Sequence, residues 1–478
     1  MGPRRVALVI EGSRGDVQPY VVAALALRRA SYSVLVLGPS YCAELTKPFA
    51  LDFFEFYPVD TKKDCQKEEM IKTFSDNNFA QLTKSMSETK TSVREEMLTK
   101  LVTAVKDFQP QLILSCYLSI CDAMNVGIGL GIPVLFLGLQ VMIASNHIPA
   151  FGMFPQLPTL FGLNRRLWDY LCRSFAEEMN KSSEPILLKL FGKEKEQFQP
   201  TMEEYFQICS ADAEYPTILA ASRALHGPLP PDFTEHVHCI GGLALESEDQ
   251  IGAEFGGDLQ AMETFLAAGD PPVYMGYGSM TCQNAKFMTL LSIRALMKTG
   301  QRAVMLRGWA ELSLEALEGE PDSAELKSYC QEKVLLMDTA PHAALFPRCG
   351  VLVHHGGAGT LNASAASGIP TVIVPIFLDQ YYHSDLVNAK GFGVGLKAMK
   401  TLTPDDLAAA IKQCLESAEI RQKAKEIAQE MSKEKGTESL VKLVNGCWVQ
   451  IGGVVASYGM YGTLTCVVTK GRCSLHES

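Results

Sequence analysis

Apolar residues in this chain fall in short unbroken runs separated by longer amphipathic stretches. Val6–Ile10 reads as a strand, Pro19–Arg29 as a helix and Ser33–Leu37 as a second strand. Leu112–Ser115 and Val134–Leu139 read as further strands with a helix between them. Strands that are apolar on both faces and alternate with helices predict a parallel sheet covered on both sides. The pattern then restarts. Val273–Tyr277, Ala303–Leu306, Val334–Met337, Val351–His354 and Thr371–Ile376 read as strands, and Asn284–Thr299 as a helix. One local unit occurs in both halves: a helix running into Gly131-Ile132-Pro133 and then a strand, and another running into Gly368-Ile369-Pro370 and then a strand. Glycine ends each helix and proline blocks its continuation. The expectation is an α/β chain of two related halves, with the boundary in 241–260.

Glu416–Val444 reads as one long terminal helix or two, and the Gly- and Thr-rich tail from Ile451 fits no parallel-sheet pattern. The greasiest region, Leu112–Ser145, is interrupted by Asp122, Asn125, Gly131-Ile132-Pro133 and Gln140. A spanning helix needs about 20 uninterrupted apolar residues, so a soluble or peripheral chain is expected. The opening run Val6–Ile10 is too short for a signal peptide.

Length and charge narrow the classes. A chain of 478 residues fits two domains better than one. A net charge of −10 argues against binding to nucleic acid, which needs a dominant basic surface. The 14 cysteines include no Cys-x-x-Cys, and only Cys466 and Cys473 are placed to bridge. The others read as small apolar residues of a reducing compartment. No Asp-x-Asp triplet and no His-Glu-x-x-His spacing is present, so no metal site is expected. His147, His226 and His383 read as ordinary polar or core positions.

Ligands of open parallel sheets lie beyond the carboxyl ends of the strands. There Val351–His354 leads into His355-Gly356-Gly357-Ala358-Gly359-Thr360. Glycines let the backbone approach a ligand closely, and free N–H groups with a helix dipole favour an anion. Taken alone, the same loop is equally a tight strand-to-helix turn. Asp379-Gln380, after the next strand, can hold vicinal hydroxyls or simply close a solvated turn. Gly278-Ser279 can offer N–H and O–H groups to a diphosphate or cap the next helix. In the first half, Gly12-Ser13-Arg14-Gly15-Asp16 joins strand to helix. Asp16 there is either a helix cap or a carboxylate able to take a proton.

Four segments together resemble the family-1 glycosyltransferases of GT-B fold, nearest the sterol glucosyltransferase and antibiotic glycosyltransferase branch. They are Gly12–Pro19, Pro271–Met280, Ala340–Phe346 and His354–Gln380. The resemblance implies two Rossmann-like domains facing across a cleft: 1–245 for the acceptor, and 246–450 for the nucleotide-sugar, with its last helix returning to the first. Residues 451–478 stay unassigned. It implies an inverting enzyme that moves a hexose, glucose first, from a UDP-sugar to a hydroxyl of a lipophilic acceptor, without a metal. His355 is then expected at the donor phosphate, with Gly357, Gly359 and Thr360 as its loop. Gly15, Gly278 and Ser279 are expected near the diphosphate, Asp379 and Gln380 at the sugar, and Pro341 and His342 beside the uracil. Asp16 becomes the candidate general base.

Three positions depart from the family. Cys116 stands where plant relatives carry the Asp that backs a catalytic His. Val141 replaces a Pro usual after Gln140, and Tyr381-Tyr382-His383 alters an aromatic turn. A sterol is the first expected acceptor. The basic and apolar stretch Leu163–Arg173 is either a core-packed amphipathic helix or a peripheral membrane contact. The competing readings are a nucleotide-sugar-binding protein that has lost transfer, or a sugar-nucleotide epimerase.

Overall fold

A computed structural model describes residues 3–152, 157, 159–181, 183–194, 198, 208–213, 216–245 and 259–452. Cys466 and Cys473, the tail beyond 452 and most of the expected 241–260 boundary lie outside the described residues. The described cysteines are free thiols, most of them buried.

The strands of the first lobe are β1 (Arg5–Val9), β2 (Ser33–Pro39), β3 (Asp52–Tyr57), β4 (Leu112–Ser115), β5 (Val134–Gly138), β6 (Thr217–Leu219) and β7 (Val237–Cys239). Those of the second are β8 (Val273–Gly276), β9 (Ala303–Leu306), β10 (Val334–Met337), β11 (Val351–His354), β12 (Thr371–Ile373) and β13 (Gly393–Gly395). The sheet orders are β3-β2-β1-β4-β5-β6-β7 and β10-β9-β8-β11-β12-β13. Every pairing is parallel. The central strands are buried on both faces, which is why they read as unbroken apolar runs.

The helices used below are α1 (Arg14–Arg29), α2 (Glu68–Ser75), α3 (Phe79–Phe108), α4 (Ile120–Leu130), α5 (Leu163–Met179), α6 (Ala285–Thr299), α7 (Ala358–Ser367), α8 (Gln380–Lys390), α9 (Ala418–Met431) and α10 (Gly436–Gly452). Two boundaries differ from the sequence reading for local reasons. The first helix begins at Arg14 rather than Pro19, because Ser13 and Asp16 cap it. The strand expected to reach Ile376 stops at Ile373, two residues short of Pro375, which has no N–H for a ladder.

The lobes exchange helices. On α10, Leu440 and Val444 are fully buried in the core of the first lobe. There Tyr32 Oη donates to Asn445 Oδ1 at 2.5 Å. In return, α2 of the first lobe inserts Phe74 into the core of the second, where it is only 6% exposed. Among the described residues, no helix is long and apolar enough to cross a membrane.

Candidate active site

Each sheet reverses its strand order at the same place, between β1 and β4 in the first lobe and between β8 and β11 in the second. Such switch points open the crevice in which ligands of parallel sheets lie. The loops that follow β1, β8 and β11 are the glycine-bearing loops of the sequence.

After β1, Ser13 donates its N–H (2.7 Å) and its hydroxyl (2.9 Å) to Asp16 Oδ2. Gly12 has φ +126, and a Cβ there would lie 2.6 Å from Asp16 Oδ2, so only glycine leaves room for the carboxylate to fold back. Capping and catalysis are compatible at Asp16, since Ser13 occupies only Oδ2. Burial pushes the Asp16 carboxyl above its usual range; the Ser13 bonds oppose this, and the charge of Asp379 adds to it.

Beneath this loop lies a buried ion cluster. Lys90 Nζ is 2.8 Å from both Glu11 Oε2 and Asp122 Oδ2, and Arg94 Nη1 is 3.6 Å from Asp122 Oδ1. Burial opposes the Lys90 charge, but the two carboxylates outweigh it and keep the amine protonated. Cys116 Sγ accepts from the Glu11 N–H at 3.3 Å, so it supports this loop and relays no charge to Asp16.

The second lobe is built differently. Gly357 caps α7, whose first-turn N–H groups have no partner within the helix. Gly356 has φ +92, and a Cβ there would lie 2.7 Å from Ile373 Cγ2. Buried His354 accepts the Gly356 N–H at 3.1 Å, and His383 Nδ1 donates to the Gly356 oxygen at 2.6 Å. His355 is 8% exposed, and its Nδ1 is buried with no hydrogen-bond partner. Burial, with His383 nearby, lowers its pKa to about 4, so it stays neutral at neutral pH. A Cβ on Gly278 would lie 2.9 Å from its ring, and a Cβ on Gly357 2.5 Å, so these three expected donor residues converge. Thr360 lies in the first turn of α7, and Ser279 follows Gly278 partly exposed. Asp379 caps α8, and burial raises its carboxyl to about 7, partly offset by a hydrogen bond from the Gln140 side chain.

The loops of the two halves meet face to face. A Cβ on Gly359 would lie 3.2 Å from the Gly15 carbonyl oxygen. Gln140 reaches Asp379, and Tyr41 packs edge-on against Trp309 with centroids 6.3 Å apart.

A profile described as the erythromycin biosynthesis protein CIII-like C-terminal domain matches residues 317–445. A sterol 3-beta-glucosyltransferase of Arabidopsis thaliana is 26% identical over 447 residues, covering 92% of this chain and 65% of that protein. Another, of Vanderwaltozyma polyspora, is 26% identical and covers 91% of this chain but 34% of its own length. This chain thus spans about two thirds or less of these two relatives. The calicheamicin glycosyltransferase CalG4 superimposes with TM-score 0.62 at 17% identity, covering 95% of this chain and all of its own. The kitacinnamycin glycotransferase gives 0.63 at 17% identity over 93% and 99%.

The chain has the GT-B fold of these glycosyltransferases.

Within this GT-B frame, some expected residues carry tasks that the sequence did not announce. Gln380 Oε1 accepts from the N–H groups of Ile376 (2.8 Å) and Phe377 (3.0 Å), so it braces its own turn. His342 stacks on Phe346 at 4.3 Å and its Nε2 bonds the Tyr274 hydroxyl at 3.1 Å; Pro341 caps its short helix. Burial holds that imidazole down to about 3. His383, which reads as an ordinary core residue, ties the glycine loop to α8. Its spacing from Asp379 within the same helix was the available signal. In α5 the apolar side, with Trp168, Cys172, Phe175 and Met179, packs into the first lobe, as the plain amphipathic reading expects. The turn before it exposes Leu160 (64%) and Phe161 (75%). Among the described residues, no group of three or more His, Cys, Asp or Glu is arranged to hold a metal ion.

Proposed function

We propose that this chain transfers a hexose, glucose first, from a UDP-sugar to a hydroxyl of a small lipophilic acceptor, a sterol first, with inversion and without a metal. The observation that carries this reading is the meeting of the two switch-point loops. A carboxylate at the switch point of one lobe faces a glycine loop with unpaired amides at the switch point of the other. Structures of two solved neighbours contain thymidine diphosphate, which supports a pyrimidine nucleotide donor.

In this mechanism the acceptor hydroxyl gives its proton to Asp16 as its oxygen attacks the anomeric carbon. The bond from that carbon to the diphosphate oxygen breaks, and UDP leaves with the electron pair. Desolvation strengthens Asp16 as a base, because it disfavours the isolated charge and so raises proton affinity. The departing charge meets the first-turn amides of α7 and the N–H of a neutral His355. Asp379 and the Gln380 amide nitrogen hold the sugar hydroxyls.

The acceptor side has a matching exterior. Leu160, Phe161, Leu163 and Tyr170 are exposed together, beside the exposed Arg166 and Arg173. The same helix packs Trp168 against Phe151, at a ring separation of 4.6 Å, next to the turn that meets Asp379. This face suits a lipid surface that holds the acceptor.

The test is incubation with radiolabelled UDP-glucose and a sterol panel, read by lipid extraction and by nucleotide chromatography. A labelled glycoside with stoichiometric free UDP is expected. An isomerised donor, or intact donor with every acceptor, rejects the proposal.

A further inference from the structure

The support of Asp379 comes largely from the wrong lobe. Leu378, just before it, has φ +50, a left-handed conformation that a bulky residue adopts only at a cost. Its N–H is taken by Asn77 Oδ1 at 3.1 Å, from a residue 301 positions earlier in the chain.

Asn77 terminates α2. Its own φ is +51, its N–H bonds the Phe74 carbonyl (3.0 Å), and the Asn78 N–H bonds that of Thr73 (3.0 Å). This is the Schellman stop, whose left-handed position glycine fills at least cost. An asparagine there gives up some of that ease and adds a side-chain acceptor, and this acceptor is spent on Leu378.

The neighbouring residues hold α2 to the same surface. Phe74 packs on Phe377 with centroids 5.2 Å apart. Ser75 Oγ accepts the Gln283 N–H at 2.8 Å, and Asp76 pairs with Lys400 at 3.1 Å. On the far side of the carboxylate, a Cβ on Gly152 would lie 2.8 Å from Asp379 Cα, and Gln140 bonds its side chain. Two loops and one helix end of the first lobe therefore enclose the Leu378-Asp379 pair.

We infer that Asn77 is a positioning residue for the sugar of the donor: it fixes the left-handed Leu378 peptide and so the aim of Asp379, across the cleft. The inference rests on the proposed role of Asp379. It makes sugar recognition depend on closure of the lobes, whereas the residues expected at the nucleotide, Gly15 apart, belong to the second lobe.

Asn77→Gly is the discriminating variant, because glycine keeps the helix stop and removes only the acceptor. Binding of UDP-glucose and of UDP is measured by calorimetry on the whole chain. The ratio of the two dissociation constants should rise roughly three- to tenfold, the loss of one hydrogen bond, with the UDP value unchanged. Asn77→Asp, which keeps an acceptor oxygen, should restore the ratio. Asp379→Ala is the control and should raise it at least as far. If Asp379→Ala moves the ratio and Asn77→Gly does not, the positioning role is overturned alone. An equal loss for UDP and UDP-glucose in Asn77→Gly also overturns it, as a merely structural effect. If Asp379→Ala leaves the ratio unmoved, the sugar-side reading falls, and this inference with it.

Discussion

The two lobes share a strand order and a switch point, yet their loops there rest on opposite materials. Under the β1 loop of the first lobe lie four buried charges, Glu11, Lys90, Arg94 and Asp122. Under the β11 loop of the second lie imidazoles that burial keeps neutral, His354, His355 and His383. On the function proposed above, the difference follows from what each loop would hold. A base needs one carboxylate set rigidly in a place where burial raises its proton affinity. A diphosphate needs many weak donors that stay in place when no ligand is present. Fixed cations with nothing to pair with would be costly there, whereas N–H groups of glycines and neutral rings are not.

The sharpest way to break this contrast is Asp16→Asn. Turnover should fall about 10²- to 10⁴-fold, the usual contribution of a general base, with UDP affinity unchanged. Retained turnover in a steady-state assay would remove Asp16 from the mechanism. Next is Lys90→Met, which leaves Glu11 and Asp122 buried without their shared partner. A stability loss of about 3–5 kcal/mol is expected by chemical denaturation, and a loss under 1 kcal/mol would mean the cluster is not needed for folding. In the second lobe, His355→Ala should weaken UDP binding by roughly 10- to 100-fold, the worth of a hydrogen bond to a charged group. An unchanged dissociation constant would assign the phosphate to the backbone alone.

The smallest effect concerns pH. Asp379 has its carboxyl raised to about 7, so the folded chain holds a proton there that the unfolded chain releases near pH 4. That stabilisation is complete at low pH and disappears as pH rises through about 7. The thermal midpoint of the ligand-free chain should therefore fall between pH 5 and pH 8 relative to Asp379→Asn, by roughly 2–4 °C for each kcal/mol. Parallel curves for the two proteins would show that Asp379 titrates normally.

Much of the architecture was legible because it is local. Leu112–Ser115, Ala303–Leu306, Val334–Met337 and Val351–His354 are strands at the expected residues, since apolar runs bounded by turns carry their own limits. The loops at 12–16 and 355–360 were legible for the same reason: glycines and a cap announce a special backbone. What stayed hidden is non-local. Nothing within residues 68–77 says that Phe74 belongs to the core of the other lobe. Gln380 offers an amide to a sugar on paper, but its oxygen is used by a turn only three residues away. The α5 stretch shows the converse, as the helical spacing of Leu167, Trp168 and Leu171 marks the side that packs on the core.

The place of α10 has one more consequence, for the order in which the molecule is made. Leu440 and Val444 close over α1 and its neighbours, so the first lobe lacks part of its interior until nearly the last described residue has been synthesised. A nascent chain arrested before residue 436 leaves the greasy outer side of α1 uncovered. On a ribosome this lobe, although first in line, is the one that must wait, and a chaperone would find it open for longest.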